Sequence, residues 1–196
     1  MKPSGQAGPS LLSYAGIAGA VAALRSGGIV AYPTEAVYGL GCDPQNEAAV
    51  AALFALKQRP AGQGVLLIAA EFSQVERYID AGVAADVLRR ARTTWPGQHT
   101  WVFPRAASTP PWLAGAHAGI ALRVTAHPLA AALCRAFGGA LVSTSANRHG
   151  AAPARSAVEV HSAFGAALAY ILDGPVGGLD RPTPIRDAVS GEVIRV

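Results

Sequence analysis

The stretch Arg25-Ser26-Gly27-Gly28-Ile29-Val30-Ala31-Tyr32 sets a helix end directly against a strand, and its reading decides the fold class. Upstream, Ile17, Val21 and Leu24 fall at i, i+4 and i+7, the spacing of one helix face. Glycine after the last periodic residue is an ordinary helix stop, and a short apolar strand pattern follows at once. The alternation continues downstream. Asn46 predicts an N-cap for a helix carrying Val50, Leu53 and Phe54 on one face, and Pro60 stops it. Val65-Leu66-Leu67-Ile68-Ala69 is a continuous apolar run, expected as a strand buried on both faces. Helical material is expected within 72–92, a strand at Thr100-Trp101-Val102-Phe103, and an irregular surface loop over 104–117. Ile120, Leu122 and Val124 alternate with Ala121 and Arg123 as a further strand. Pro128 opens a helix with Leu129, Leu133 and Phe137 as its buried stripe, and Ala140-Leu141-Val142 is the next strand. Ser156 and Glu159 form a capping-box pair, and late strands are expected near 169–172, 184–189 and 192–196. With no repeat and no linker, this is one domain of the α/β (mixed α+β) class. Its architecture is a twisted sheet of mixed parallel and antiparallel strands flanked by helices.

Residues 1–10 read as a flexible tail and 11–196 as the folded domain. Lys2 before the apolar stretch from Leu11 to Leu24 imitates a signal peptide, but the helical spacing and Pro3, Ser4, Gly5 and Gly8 argue against one. No apolar run reaches transmembrane length without Arg or a Gly/Pro cluster, so no membrane is expected. Apolar residues make up 51% and charged residues 14% of the 196, a globular balance. The net charge of +4 points to polyanionic partners such as nucleotides or RNA, although the arginines are scattered. Cys42 and Cys134 have no metal-type spacing and read as free thiols of a cytoplasmic protein.

Lysine and asparagine are scarce. Lys57 is the only lysine beyond Lys2, and Asn147 has only Asn46 as company. Both rare residues fall in polar clusters that interrupt apolar structure. The first cluster, Tyr32-Pro33-Thr34-Glu35-Ala36-Val37-Tyr38-Gly39-Leu40-Gly41, leaves a strand end, where α/β proteins place ligands. A connecting turn explains Pro33 and the glycines but not Thr34-Glu35. Lys57 and Arg59 form the second; they read either as cations at a helix C-terminus or as a clamp on phosphates. Ser143-Thr144-Ser145-Ala146-Asn147 is the third, either an anion-binding nest or a plain polar loop. The fourth is Arg123, which invites a carboxylate partner unless it faces solvent from an edge strand. His127 before Pro128 reads as a turn or capping residue, not a catalytic base. No G-x-x-x-x-G-K-S/T, G-x-G-x-x-G, C-x-x-C, H-E-x-x-H or G-x-S-x-G motif occurs. The residues alone reach as far as a non-P-loop anion site.

At these clusters the chain resembles the YrdC/TsaC family, the threonylcarbamoyl-AMP synthases. The matching stretches are Ala31 to Asp43, Leu56-Lys57-Gln58-Arg59-Pro60, Trp95-Pro96-Gly97 with Thr100, Arg123-Val124 with His127-Pro128, Ser143 to Asn147, Pro184-Ile185-Arg186-Asp187, and Arg195. They follow in the order and spacing of the short single-domain bacterial form, over about residues 10–196. The resemblance implies a YrdC-like fold and a nucleotidyltransferase. L-threonine, bicarbonate and ATP would give threonylcarbamoyl-adenylate and pyrophosphate. Partner proteins would then transfer the threonylcarbamoyl group to an adenosine beside the anticodon of certain tRNAs, with weak tRNA or RNA binding by the enzyme itself. By this resemblance Lys57 and Arg59 are the catalytic cations and clamp the triphosphate, with Ser145, Asn147 and Arg195 also on ATP. Thr34, Arg123, Ser143 and Thr183 would contact threonine. Mg2+ would accompany ATP, held mainly by phosphates and water, with no protein metal site.

Two departures accompany the match. Longer relatives carry Asn-Pro-Leu and a His where this chain has Gly64-Val65-Leu66-Leu67-Ile68-Ala69, so one threonine contact of the family is not carried over by the resemblance. Gln98-His99 replaces the usual Pro and apolar residue after Pro96-Gly97. Longer relatives also have a second C-terminal domain, so any lid here is expected from this domain's own loops or tail. The rival reading is an RNA-binding or ribosome-maturation factor using the same basic concave surface. Thr34 and Arg123 separate the two, because an RNA binder needs neither.

Overall fold

A computed structural model describes residues 11–148, 150–180 and 184–195. The expected tail over 1–10, and Thr183, lie outside the described residues. The elements run α1 (Leu11–Arg25), β1 (Val30–Pro33), β2 (Tyr38–Gly41), α2 (Glu47–Lys57), β3 (Leu66–Ala69), α3 (Ala85–Arg92), β4 (Thr100–Pro104), α4 (Pro111–Ala114), β5 (Gly119–Val124), α5 (Pro128–Phe137), β6 (Leu141–Ser145), α6 (Ala157–Phe164), β7 (Tyr170–Ile171), β8 (Ile185–Asp187) and β9 (Val193–Arg195).

The described strands form one mixed sheet in the order β7-β1-β2-β6-β3-β5-β4-β8-β9. β1/β7, β3/β5 and β4/β8 are parallel, and the remaining neighbours are antiparallel. Side chains alternate faces along a strand, so each strand feeds two layers. In β3, Leu67 joins Leu53, Phe54 and Leu122 on one face, whereas Ile68 joins Ile17, Leu24, Leu129 and Leu133 on the other. Both are fully buried, as a continuous apolar run predicts, and each such burial is worth roughly 1.5–3 kcal/mol.

Capping follows the sequence closely. Asn46 Oδ1 accepts from Ala49 N (3.1 Å) at the start of α2. Ser156 Oγ accepts from Glu159 N (3.2 Å), and the Glu159 carboxylate returns to Arg155 N (2.6 Å). His127 is the N-cap of α5, accepting at Nδ1 from Ala130 N (3.5 Å) while Nε2 bonds Pro175 O (3.0 Å). Burial lowers its pKa, against the raising effect of the Pro175 bond, so the neutral capping tautomer suits both partners.

Several expectations needed adjustment. Residues 38–41, read as loop, form β2, because Gly39 and Gly41 let it pack closely. A Cβ on Gly41 would stand 2.8 Å from Tyr32 Cε1. The helical material expected within 72–92 is present as two short 3-10 turns before α3, whereas 104–117, expected as a loop, contains α4. The β6 strand continues through Ser145, so Ser143 and Thr144 are strand residues rather than loop.

Candidate functional site

Register places the site. Leu66 pairs with Ala121 on one side and Ser143 on the other, Val102 pairs with Ala121, and Gly39 pairs with Ser145, so these residues share one sheet face. On that face α1 and α5 cover the Ile68/Leu141 end, and beyond them lies a cavity of about 540 Å3. Its wall includes Thr34, Arg59, Thr100, Arg123, Ser143 and Ser145, with Ile194 and Arg195 of β9 at one edge. Among the described residues lining it there is no Asp or Glu.

The end of α2 sends its two cations in different directions. Gln58 takes the left-handed conformation (φ 53°) and Arg59 N reaches back to Phe54 O (3.0 Å), which reverses the chain. Arg59 then enters the cavity wall, donating to Gly64 O (2.9 Å) and Thr144 Oγ1 (3.4 Å). Its Nε is buried with no partner among the described residues, a donor of the kind a ligand oxygen satisfies. Burial, and then the Arg195 charge, lower the Arg59 pKa.

Lys57 is only 7% exposed and stands behind the wall, not in it. Its ammonium donates to Ser145 O, to Asn147 O (2.9 Å) and to Asn147 Oδ1 (3.3 Å). Burial and the nearby Arg59 charge push its pKa down to about 8. Ser145 Oγ in turn bonds Asn147 Oδ1 (2.6 Å), and Asn147 Nδ2 donates to Ala151 O (2.9 Å). The N–H groups of Ala146 and Asn147 go to Tyr38 O (2.8 Å) and Ser145 O (3.0 Å), so they are not presented as an anion nest. What this segment offers the cavity is hydroxyls.

Arg123 does not face solvent from an edge. It is 5% exposed, and β5 lies inside the sheet between β3 and β4. The carboxylate it invites is Glu35, 3.5 Å from Nη2. Glu35 Oε1 also accepts from Thr125 Oγ1 (2.6 Å) and Ala126 N (3.0 Å). Burial works to raise the Glu35 pKa, but Arg123, Thr125 and Ala126 outweigh it and lower it, so the group is ionised at neutral pH. Thr34, 5% exposed, closes its own turn through Oγ1 to Val37 O (2.7 Å) and lines the cavity near Ser143.

The structure thus brings Thr34, Arg59, Arg123, Ser143, Ser145 and Arg195 to one cavity, with Lys57 and Asn147 bracing its wall. Sequence reasoning gave no role to Thr100, whose buried Oγ1 in the wall has no partner among the described residues, or to the Glu35–Arg123 pair.

The class defined by fold and site is a mixed α/β domain with a cation-lined cavity on one face of its sheet, whose described lining holds no Asp or Glu. The family model Sua5_yciO_yrdC, described as "Telomere recombination", matches residues 22–196, and the chain belongs to this family. Proteins named threonylcarbamoyl-AMP synthase from Halorhodospira halophila and Stenotrophomonas maltophilia are 56% and 53% identical, each over 90% of this chain and 92% and 95% of theirs. P. abyssi Sua5 complexed with L-threonine superposes with a TM-score of 0.81 at 31% identity. The match covers 87% of this chain but only 50% of that one, so this chain spans about half its length. E. coli YciO matches with a TM-score of 0.80 at 27% identity, over 93% of this chain and 89% of that one.

Proposed function

We propose that this chain is a threonylcarbamoyl-AMP synthase, making threonylcarbamoyl-adenylate and pyrophosphate from L-threonine, bicarbonate and ATP. The observation that carries the reading is the convergence of Arg59, Arg123, Thr34 and the β6 hydroxyls on one cavity of about 540 Å3, with no Asp or Glu among its described lining residues. That volume lies in the range of small-ligand sites, with Arg123 buried and Arg59 half-buried in its wall and Arg195 exposed at its edge.

Threonine's amine adds CO2 derived from bicarbonate and loses a proton, giving a carbamate. A carbamate oxygen then attacks the α-phosphorus, a P–O bond forms, and the bond from the α-phosphorus to the α,β-bridging oxygen breaks to release pyrophosphate. Both reactants are anions, so the site's work is to cancel repulsion and hold them in line. Arg59 and Arg195 take the phosphates, with Ser145 beside them. Lys57 and Asn147 fix the β6 terminus that presents Ser145. Arg123, with Thr34 and Ser143, takes threonine, Arg123 on its carboxylate. Mg2+ would come with the ATP substrate, held mainly by its phosphates and water, because among the described residues lining the cavity there is no Asp or Glu to hold it.

The product is consumed in the cytoplasm by partner proteins that transfer the threonylcarbamoyl group to tRNA. No described helix is long and apolar enough to cross a membrane. The test is pyrophosphate release from ATP with L-threonine and bicarbonate. Release that stops when threonine is omitted supports the assignment; release indifferent to threonine refutes it.

A further inference from the structure

The cavity is electrically divided. Arg59 bonds Gly64 O, whereas Arg123 pairs in register with Ile68, four residues further along the strand direction. Gly64 precedes β3 and Ile68 lies near its end, so the two arginines are held toward opposite ends of that strand. At the Arg59 end the cations Arg59 and Arg195 have no Asp or Glu among the described residues of the cavity lining. At the Arg123 end the charge is compensated by Glu35, which does not line the cavity although its neighbours Thr34 and Ala36 do.

Glu35 is held from three sides. Its carboxylate is bonded to Thr125 and Ala126 just past β5, and its backbone O accepts from Leu179 N (3.1 Å). Gly177 N donates to Thr34 O (2.9 Å), and a Cβ on Gly177 would lie 2.5 Å from Glu35 O. The carboxylate therefore cannot follow a ligand; it sets where the Arg123 guanidinium sits. Planar fork geometry makes that placement matter for carboxylate recognition.

We propose that Glu35 is a positioning and specificity residue: it orients Arg123 for a carboxylate and, by cancelling its charge, keeps phosphate out of the amino-acid end. An overall neutral zwitterion suits a compensated end, and a polyanion suits the uncompensated one. This rests on the reading of Arg123 as the threonine carboxylate partner.

The experiment measures threonine binding by calorimetry, with and without inorganic phosphate, alongside the KM values for threonine and ATP. Arg123→Ala first tests the underlying reading: unchanged threonine binding would sink that reading, and the inference with it. Given a loss there, Glu35→Gln is expected to weaken threonine binding at least about tenfold, the scale of a disturbed charge-assisted contact. Phosphate, without effect on the wild type, should then compete with threonine. The KM for ATP should stay within about threefold, an outcome that general loosening of the fold does not give. Glu35→Asp, which keeps the charge, should still exclude phosphate. Unchanged threonine binding in Glu35→Gln, or equal rises in both KM values, overturns the inference while leaving the Arg123 reading intact. If Glu35→Gln does not fold, Thr125→Val removes one bond to the same carboxylate. It should raise the KM for threonine alone by about threefold, the scale of one modest hydrogen bond, and no rise refutes the proposal.

Discussion

Replacing Lys57 by Met keeps much of the side-chain volume and removes the ammonium. The three acceptors it leaves are not equivalent. Ser145 O still receives Asn147 N at 3.0 Å, and Asn147 Oδ1 still receives Ser145 Oγ at 2.6 Å. Asn147 O loses its Lys57 bond of 2.9 Å. One stranded carbonyl costs about 1–3 kcal/mol, and relief from burying an ammonium offsets part of it. A net loss of about 1–2 kcal/mol is expected in urea unfolding, seen as a lower midpoint at unchanged slope. Because the loosened segment carries Ser145, turnover should fall by more than about tenfold, with a higher KM for ATP. Arg25 and Arg77 are exposed, and their Ala variants should stay within about 0.5 kcal/mol and near wild-type turnover. The pH dependence gives a second readout. The folded Lys57 pKa, about 8, lies below the unfolded value, so protonation penalises the folded state. Between about pH 8 and 10.4 the unfolded chain binds more protons, and wild-type stability should rise relative to Lys57→Met. Equal turnover losses for Lys57→Met and Arg25→Ala, or no stability change on either readout, would refute the bracing role.

Arg59→Ala should raise the KM for ATP by at least about tenfold with little effect on folding, since a charge-assisted phosphate contact is lost; steady-state kinetics checks this. Gln58→Gly should stabilise the chain by about 1 kcal/mol, because glycine adopts the left-handed conformation without Cβ strain, and urea unfolding reads it. Gly177→Ala should destabilise by about 1–3 kcal/mol, because its Cβ would collide with the Glu35 backbone. Glu35 has a lowered folded pKa, so its stabilisation is present above the ordinary Glu value of about 4.3 and is lost as pH falls below it toward the folded value. The stability difference between wild type and Glu35→Gln should shrink over that acid window.

How much was legible in the sequence varied with the range of the interaction involved. Local chemistry read well: the caps at Asn46, Ser156 and His127 depend on residues within three positions, and all three form. The doubly buried β3 was visible as an unbroken apolar run. Local rules misread β2, because Gly39 and Gly41 signal a loop until a neighbouring strand and Tyr32 demand their close approach. In the site, Lys57 and Arg59 stood out by scarcity and by motif, but not their divergence, which follows from one left-handed residue between them. The sequence also raised the two halves of the Glu35–Arg123 pair separately, an unexplained Glu and a strand Arg wanting a carboxylate. Only the sheet could join them, since no periodicity connects a turn after β1 to the end of β5.

The central claim is tested most directly by the product itself. Protein incubated with ATP, L-threonine and 13C-bicarbonate should yield, by mass spectrometry, an adenylate carrying both the threonine and the labelled carbon. Its formation should fall sharply in Arg59→Ala. ATP turned over with neither label nor threonine in the adenylate product would contradict the account.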